Sequence, residues 1–131
     1  MRMCYAAKQL LTASQGCVIN TASMLSFFGS GYVPAYSASK GGVVQFTKSL
    51  AIAWAPENIR VNAIAPGWIK TTLTQPLYED EKRSREIIDR TPLHRWGTPA
   101  DVAGPALFLS SEQAQFVTGV VLPVDGGYSI M

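Results

Sequence analysis

Two rhythms of apolar positions divide the chain. Three short runs are rich in apolar residues and end in turn residues, the second carrying Arg60 and Asn62 within it. They are Cys17-Val18-Ile19 carried on to Thr21, Ile59 to Ala65 cut off by Pro66-Gly67, and Val120 to Val124 ending at Asp125-Gly126-Gly127. Runs of this length bounded by Gly and Pro predict buried strands. Elsewhere the apolar positions recur every three to four residues. From Ala35 to Ala55-Pro56 a long helix is predicted, with Val43, Phe46, Leu50 and Trp54 on one stripe and Val44, Ala51 and Ala55 beside it. Arg2 to Ala13 reads as the back part of a helix, ended by Gln15-Gly16. Met24 to Pro34 reads as a loop containing Gly29 and Gly31.

The rest follows from start and stop signals. Thr71 to Leu77 and Tyr78 to Arg90 predict two short helices. The second carries opposite charges at helical spacing, Glu79 with Arg83, Glu81 with Arg85 and Glu86 with Arg90, which predicts a solvated face. Thr98-Pro99-Ala100-Asp101 places an N-cap threonine before a proline at the first helical position. That helix carries Val102, Ala106 and Leu109 to Ser110-Ser111. The resulting alternation of strands and helices argues a parallel sheet with right-handed crossovers. Open sheets of this kind bind ligands beyond the carboxyl ends of their strands, where Ser23 and Pro66-Gly67 both fall.

Composition narrows the class without changing the fold. The 131 residues suit one domain, and 47% hydrophobic against 15% charged residues supply a core and argue against disorder. Eleven basic and nine acidic residues are mixed along the chain for a net charge of +2, so nucleic acid is not an expected partner. Cys4 and Cys17 form neither a disulfide framework nor a metal pattern. No apolar run is long enough for a bilayer, and a cytoplasmic location without membrane contact is the expectation.

The candidate chemistry centres on Tyr36 and Lys40, four residues apart and so on one helix face, with Ser23 thirteen residues before the tyrosine at a strand end. A hydroxyl facing a phenol and an ammonium is a set of parts for moving a proton to or from an alcohol, since a neighbouring ammonium favours the phenolate. On its own, a tyrosine and a lysine at this spacing is a common surface pair. His94, the only histidine, reads as a solvated loop residue. Trp68 either walls a substrate pocket or packs within its loop. Trp54 and Phe46 read as core or subunit interface, and Asn20 and Asn62 as amides that hydrogen-bond loops.

Taken in order, five motifs resemble the classical short-chain dehydrogenase/reductase family along essentially the whole chain. They are Val18-Ile19-Asn20-Thr21-Ala22-Ser23, Tyr36-Ser37-Ala38-Ser39-Lys40, Arg60 through Gly67 with Thr71 beyond, Arg95-Trp96-Gly97, and Val124-Asp125-Gly126-Gly127. The resemblance implies an α/β fold, the C-terminal half of a doubly wound parallel-sheet Rossmann fold, with residues 71–97 as a substrate lid. It implies Tyr36 as general acid/base, Ser23 on the substrate oxygen, and Lys40 beside the tyrosine and on the nicotinamide ribose. Pro66, Gly67, Ile69 and Thr71 would orient the nicotinamide of NAD or NADP, and Met24 and Trp68 would touch a small-molecule substrate. The family's assembly implies a homo-oligomer, typically a tetramer.

Outside these motifs, Met24-Leu25-Ser26-Phe27, Asp80-Glu81, Arg83-Ser84 and Asp89-Arg90 resemble the sugar-acid members, 2-deoxy-D-gluconate 3-dehydrogenases among them, more than the 3-oxoacyl-carrier-protein reductases, which share the catalytic motifs and stand as the alternative. The family's glycine-rich pyrophosphate turn, its residue selecting NAD or NADP, and its Asn-Ala-Gly run do not occur in these 131 residues. The relay asparagine would fall just before Met1. Two expectations of different class follow: an oxidoreductase, or a truncated product that retains only assembly surfaces and catalyses nothing.

Overall fold

A computed structural model describes residues 1–131. Its centre is a three-stranded parallel sheet in the order β1-β2-β3, formed by Cys17–Thr21, Arg60–Pro66 and Val121–Val124. β2 is the middle strand, and its residues Val61 to Ala65 are all buried, Asn62 among them. Its register runs from Cys17 opposite Arg60 to Thr21 opposite Ile64, and from Ala63 opposite Val121 to Pro66 opposite Val124. β2 begins and ends one residue later than predicted, and β3 begins one later.

Helices α1 (Arg2–Ser14) and α2 (Pro34–Trp54) pack beside each other, with Tyr5 meeting Trp54 edge to face at 5.8 Å. Val61, Ala63 and Ala65 of β2 face this layer: Leu50, Ala51 and Trp54 close over Val61, and Val44 over Ala63 and Ala65. The inward face of α2 is rotated from the predicted stripe. Val44, Thr47, Leu50, Ala51 and Trp54 are buried, whereas Val43 and Phe46 are half-buried. The cause is polar. Thr47 is fully buried because its hydroxyl donates to the Val43 carbonyl (2.8 Å) and accepts from Asn20 Nδ2 (3.0 Å). An apolar count cannot see such a residue, and Asn20 ties β1 to a helix rather than to a loop.

Helix α5 (Pro99–Ser110) lies on the opposite face. Arg60, which alternates away from Val61, donates to the Leu109 carbonyl (2.7 Å) and the Ser111 carbonyl (3.4 Å), satisfying acceptors at the C-terminus of α5. Thr98 caps this helix as predicted, in a reciprocal box with Asp101. Asn62, fully buried, donates to the Val117 carbonyl (2.9 Å) and accepts from the Val120 amide (3.0 Å), stitching the approach to β3 onto β2.

Between β2 and α5 lie a turn of 3-10 helix at Thr72–Thr74, the single-turn helix α3 (Gln75–Tyr78) and α4 (Glu81–Arg90), capped by Asp80. Both ends of this excursion are pinned to each other: the Gly97 amide donates to the Trp68 carbonyl (2.9 Å) and the Lys70 amide to the Gly97 carbonyl (2.9 Å). The expected charge pairs are not the ones formed. Arg83 pairs with Glu86 (3.2 Å), Glu79 accepts from Gln75 (2.7 Å), and Arg90, though exposed, lies over the Tyr128 ring and donates to its hydroxyl. Exposed partners at comparable spacing differ by only a few tenths of a kcal/mol, so an aromatic neighbour outside the helix is enough to redirect Arg90. No helix is long and apolar enough to cross a membrane.

Candidate active site

The site begins where β1 stops. The Ala22 amide still donates to the Ile64 carbonyl (2.8 Å), and Ser23 then caps a turn of 3-10 helix at Met24–Ser26. Ser23 Oγ accepts from the Leu25 amide (3.2 Å), while the Ser23 amide donates to Ser26 Oγ (3.2 Å). Ser26 in turn donates its hydroxyl proton to the Lys40 carbonyl (2.8 Å), which latches the serine turn to α2. The Ser23 hydroxyl proton meets no acceptor in the chain and remains free to donate. Ser26 was not singled out by sequence reasoning, although the Ser-x-x-Ser spacing of a capping box is present there.

Helix α2 opens with Pro34, whose fixed φ suits a first helical turn. It projects Tyr36 and Lys40 from the same face, with Lys40 Nζ 5.6 Å from the centre of the tyrosine ring. The ammonium donates to the Thr21 carbonyl (2.8 Å), so Lys40 stands between the end of β1 and the phenol, with two N–H groups to spare. Tyr36 is 43% exposed, and its hydroxyl makes no hydrogen bond within the chain. Ser23 and Lys40 are thus joined through Ser26, and Lys40 and Tyr36 are side by side.

Beyond β2, Gly67 approaches the end of β3 so closely that a Cβ there would lie 2.5 Å from Asp125 Cβ and 2.7 Å from its Cα. Only glycine fits, and its amide donates to the Val124 carbonyl (3.0 Å). Ile69 bridges Gly97, its carbonyl accepts from Thr74 Oγ1 (2.6 Å), and its own amide has no acceptor in the chain. Thr71 is exposed and held in a box with Thr74, its amide donating to Thr74 Oγ1 (3.0 Å).

The two expected substrate contacts separate. The Met24 side chain is buried at 3% exposure, so it forms the floor beneath the serine turn and is not offered to a ligand from solvent. Trp68 is half-buried against Trp96 (ring centres 5.8 Å) and Tyr128 (6.2 Å), and its indole N–H is buried without a partner. It also walls a cleft of about 480 Å³ with Arg95, Asp101, Asp125 and Gly126. That cleft lies under the 92–97 segment, and Ser23, Tyr36 and Lys40 do not line it. His94 is exposed, in a left-handed turn (φ 48°) away from these groups.

A parallel α/β sheet that places a serine, a tyrosine–lysine pair and a glycine loop at its carboxyl end defines a half of a doubly wound, dinucleotide-type fold. The chain belongs to the short-chain dehydrogenase/reductase family. A family profile described as enoyl-(acyl carrier protein) reductase matches residues 1–129. The chain is 51% identical over 124 residues to a 2-dehydro-3-deoxy-D-gluconate 5-dehydrogenase of Escherichia coli, covering 94% of this chain and 49% of that protein. A 5-keto-D-gluconate 5-reductase of the same species is 43% identical over 120 residues, covering 92% and 47%. The crystal structure of a gluconate 5-dehydrogenase from Burkholderia cenocepacia, in complex with NADP and tartrate, superposes with a TM-score of 0.93 at 34% identity, over 98% of this chain and 51% of that one. The chain spans about half the length of the curated relatives it matches.

Proposed function

We propose that this chain carries the proton-transfer half of an NAD(P)-dependent oxidoreductase that interconverts a secondary alcohol and a ketone on a sugar acid. The observation that carries the reading is the grouping of Ser23, Tyr36 and Lys40 at the carboxyl end of β1. The serine has a free hydroxyl proton, the phenol is unbonded, and the ammonium stands between the phenol and the strand end. In reduction, Tyr36 gives its proton to the substrate oxygen, which Ser23 holds by donating its own hydroxyl proton. In oxidation Tyr36 takes that proton back. Lys40 favours the phenolate electrostatically and offers its two spare N–H groups to the coenzyme ribose.

The residues present fit a nicotinamide. The unpartnered Ile69 amide and the exposed Thr71 hydroxyl are donors of the kind that a carboxamide requires, and Gly67 seats the start of their loop against Asp125 at the end of β3. When bound, the coenzyme supplies or accepts the hydride. Residues 71–97, pinned at their base by the contact of Gly97 with Trp68 and Lys70, act as the lid, with Trp68 packed between Trp96 and Tyr128 at its base and Met24 as the support beneath Ser23. The sugar-acid reading rests on relatives near 50% identity, which are more specific than the broad profile.

The test joins the unmatched half of the E. coli relative ahead of Met1 and assays keto-sugar acids and an acetoacetyl thioester with NADH and NADPH. Turnover of a keto-sugar acid is expected, and Tyr36→Phe should lower kcat by about 10²- to 10⁴-fold without unfolding the protein. A Tyr36→Phe variant within about tenfold of the parent, some 1.4 kcal/mol of barrier, removes Tyr36 from the acid/base role. Preference for the thioester moves the substrate to the acyl class.

A further inference from the structure

We propose that Arg90 is a positioning residue that clamps the loop between Ser23 and Tyr36 to the lid and to the C-terminal segment; the proposal rests on the lid and site roles given above. Arg90 ends α4. Its guanidinium lies 4.3 Å from the centre of the Tyr128 ring and 5.5 Å from that of Phe28. One guanidinium nitrogen donates to Tyr128 Oη (3.3 Å) and another to the Met131 oxygen (3.4 Å). The two rings stack on each other, 6.3 Å apart at 29°. A planar cation over two rings from different segments is a contact that guanidinium suits better than ammonium, because it stacks flat and directs its donors in the same plane.

The clamp is one end of a longer chain of aromatic contacts. Phe28 meets Tyr128, Tyr128 meets Trp68, Trp68 meets Trp96, and Trp96 meets Tyr78 at 5.9 Å. These rings come from the loop after Ser23, the C-terminal segment, the residue after Pro66-Gly67, and the two ends of the lid. The sheet fixes Ser23 relative to the 66–71 loop, through the pairing of Thr21 with Ile64 and the Ala22 amide on the Ile64 carbonyl; the aromatic series ties the loop after Ser23 to that frame. A second arginine on the same face of α4, two helical turns earlier, approaches the same loop: Arg83 lies 5.8 Å from the Tyr32 ring. Tyr32 is 85% exposed, so that contact is the looser of the two and Arg90 bears the placement.

The expected consequence is that Arg90 orders residues 27–33 and, through them, the substrate face of Ser23. Amide hydrogen exchange on the intact chain reads the clamp without any substrate. Arg90→Ala should speed exchange at least tenfold in residues 27–33 and 128–131 while leaving β2 and the Val44–Trp54 part of α2 unchanged. Arg90→Lys should recover only part of the protection, and Tyr128→Phe, which keeps the stack and loses one hydrogen bond, most of it. In the chimera described above, Arg90→Ala should raise KM for the keto-sugar acid about tenfold with kcat and the coenzyme KM within twofold.

Unchanged exchange in 27–33 overturns the clamp, and so does faster exchange spread evenly over the chain. A substrate KM that does not move, with exchange altered as expected, overturns the positioning role. Failure of the unsubstituted chimera to turn over any keto-sugar acid instead overturns the functional reading, while the exchange experiment still decides the clamp.

Discussion

Asp101 accepts four hydrogen bonds: two from the Arg95 guanidinium (2.7 and 2.8 Å), one from the Thr98 amide (2.7 Å) and one from the Thr98 hydroxyl (2.8 Å). The Arg95 guanidinium first, and Thr98 after it, hold this carboxyl well below its ordinary value of 3.8, and Asp101 raises Arg95 in return. Because the folded-state value is the lower one, the unfolded chain binds the extra proton, and stability falls as the pH drops below about 4. The group is solvent-accessible, so the effect is a graded one. The expected result is a melting temperature of Asp101→Asn below that of the parent at pH 7, with the gap narrowing steadily as the pH falls from 4. Thermal melts followed by circular dichroism check it, and a gap independent of pH would show that the carboxylate charge contributes nothing. Residue chemistry of this kind was partly legible in the sequence. Thr98-Pro99-Ala100-Asp101 announces its cap, whereas the spacing of Tyr36 and Lys40 is a common one and gains weight only from the family motifs around it. The Ser26 bridge to the Lys40 carbonyl and the Asn20–Thr47 pair were not legible, because each joins segments at least fourteen residues apart and neither leaves a periodic trace.

Among the elements, α2 carries two adjacent glycines far from either end. Gly41 and Gly42 sit mid-helix within Pro34–Trp54, where glycine weakens a helix by about 0.5–1 kcal/mol relative to alanine. A Cβ on either would meet nothing within 4 Å, so no contact inside this chain requires glycine there. Gly41→Ala and Gly42→Ala should each stabilise the isolated chain by about 0.5–1 kcal/mol, a rise of roughly 3 °C in Tm for a domain of this size. A loss of stability would mean that the open space on this face is filled in solution. The contrast is Gly67, where the backbone of Asp125 occupies the place of the side chain. The sequence shows glycine equally at both places; which is a steric requirement depends on a neighbouring strand end that only the fold brings near. The three strands were readable because each run is mostly apolar and bounded by Gly or Pro, whereas their order in the sheet comes from the fold alone. The directions taken by the α4 charges were not readable, since several exposed pairings lie within a few tenths of a kcal/mol of one another.

At the scale of the molecule, surface area decides what the chain does in solution. Its accessible surface is 8176 Å², whereas a compact monomer of 14.2 kDa exposes about 6,800 Å². The difference, roughly 1,400 Å², exceeds the area of about 800 Å² that one partner contributes to a standard protein interface. The surplus is apolar in places where water gains nothing from it. Leu10 of α1 and Ile52 of α2 are 75% and 79% exposed, and Leu107 of α5 and the following Phe116 are at least 70% exposed. The sheet adds a second reason. β1 pairs only with β2, so the other side of Cys17–Thr21 presents unpaired amides and carbonyls along a strand that includes Cys17, Val18 and Ile19. A free apolar edge beside uncovered helices favours association over a solvated monomer. The purified 131-residue chain should therefore elute as an oligomer or aggregate, with the Cys17–Thr21 edge and the outer face of α2 buried in the contact. Size exclusion coupled to light scattering measures this directly, and Ile19→Lys together with Ile52→Lys should shift the population toward smaller species. A single sharp peak at 14.2 kDa with cooperative unfolding would show that the chain shields its own edge, and that the surplus area is tolerated in water.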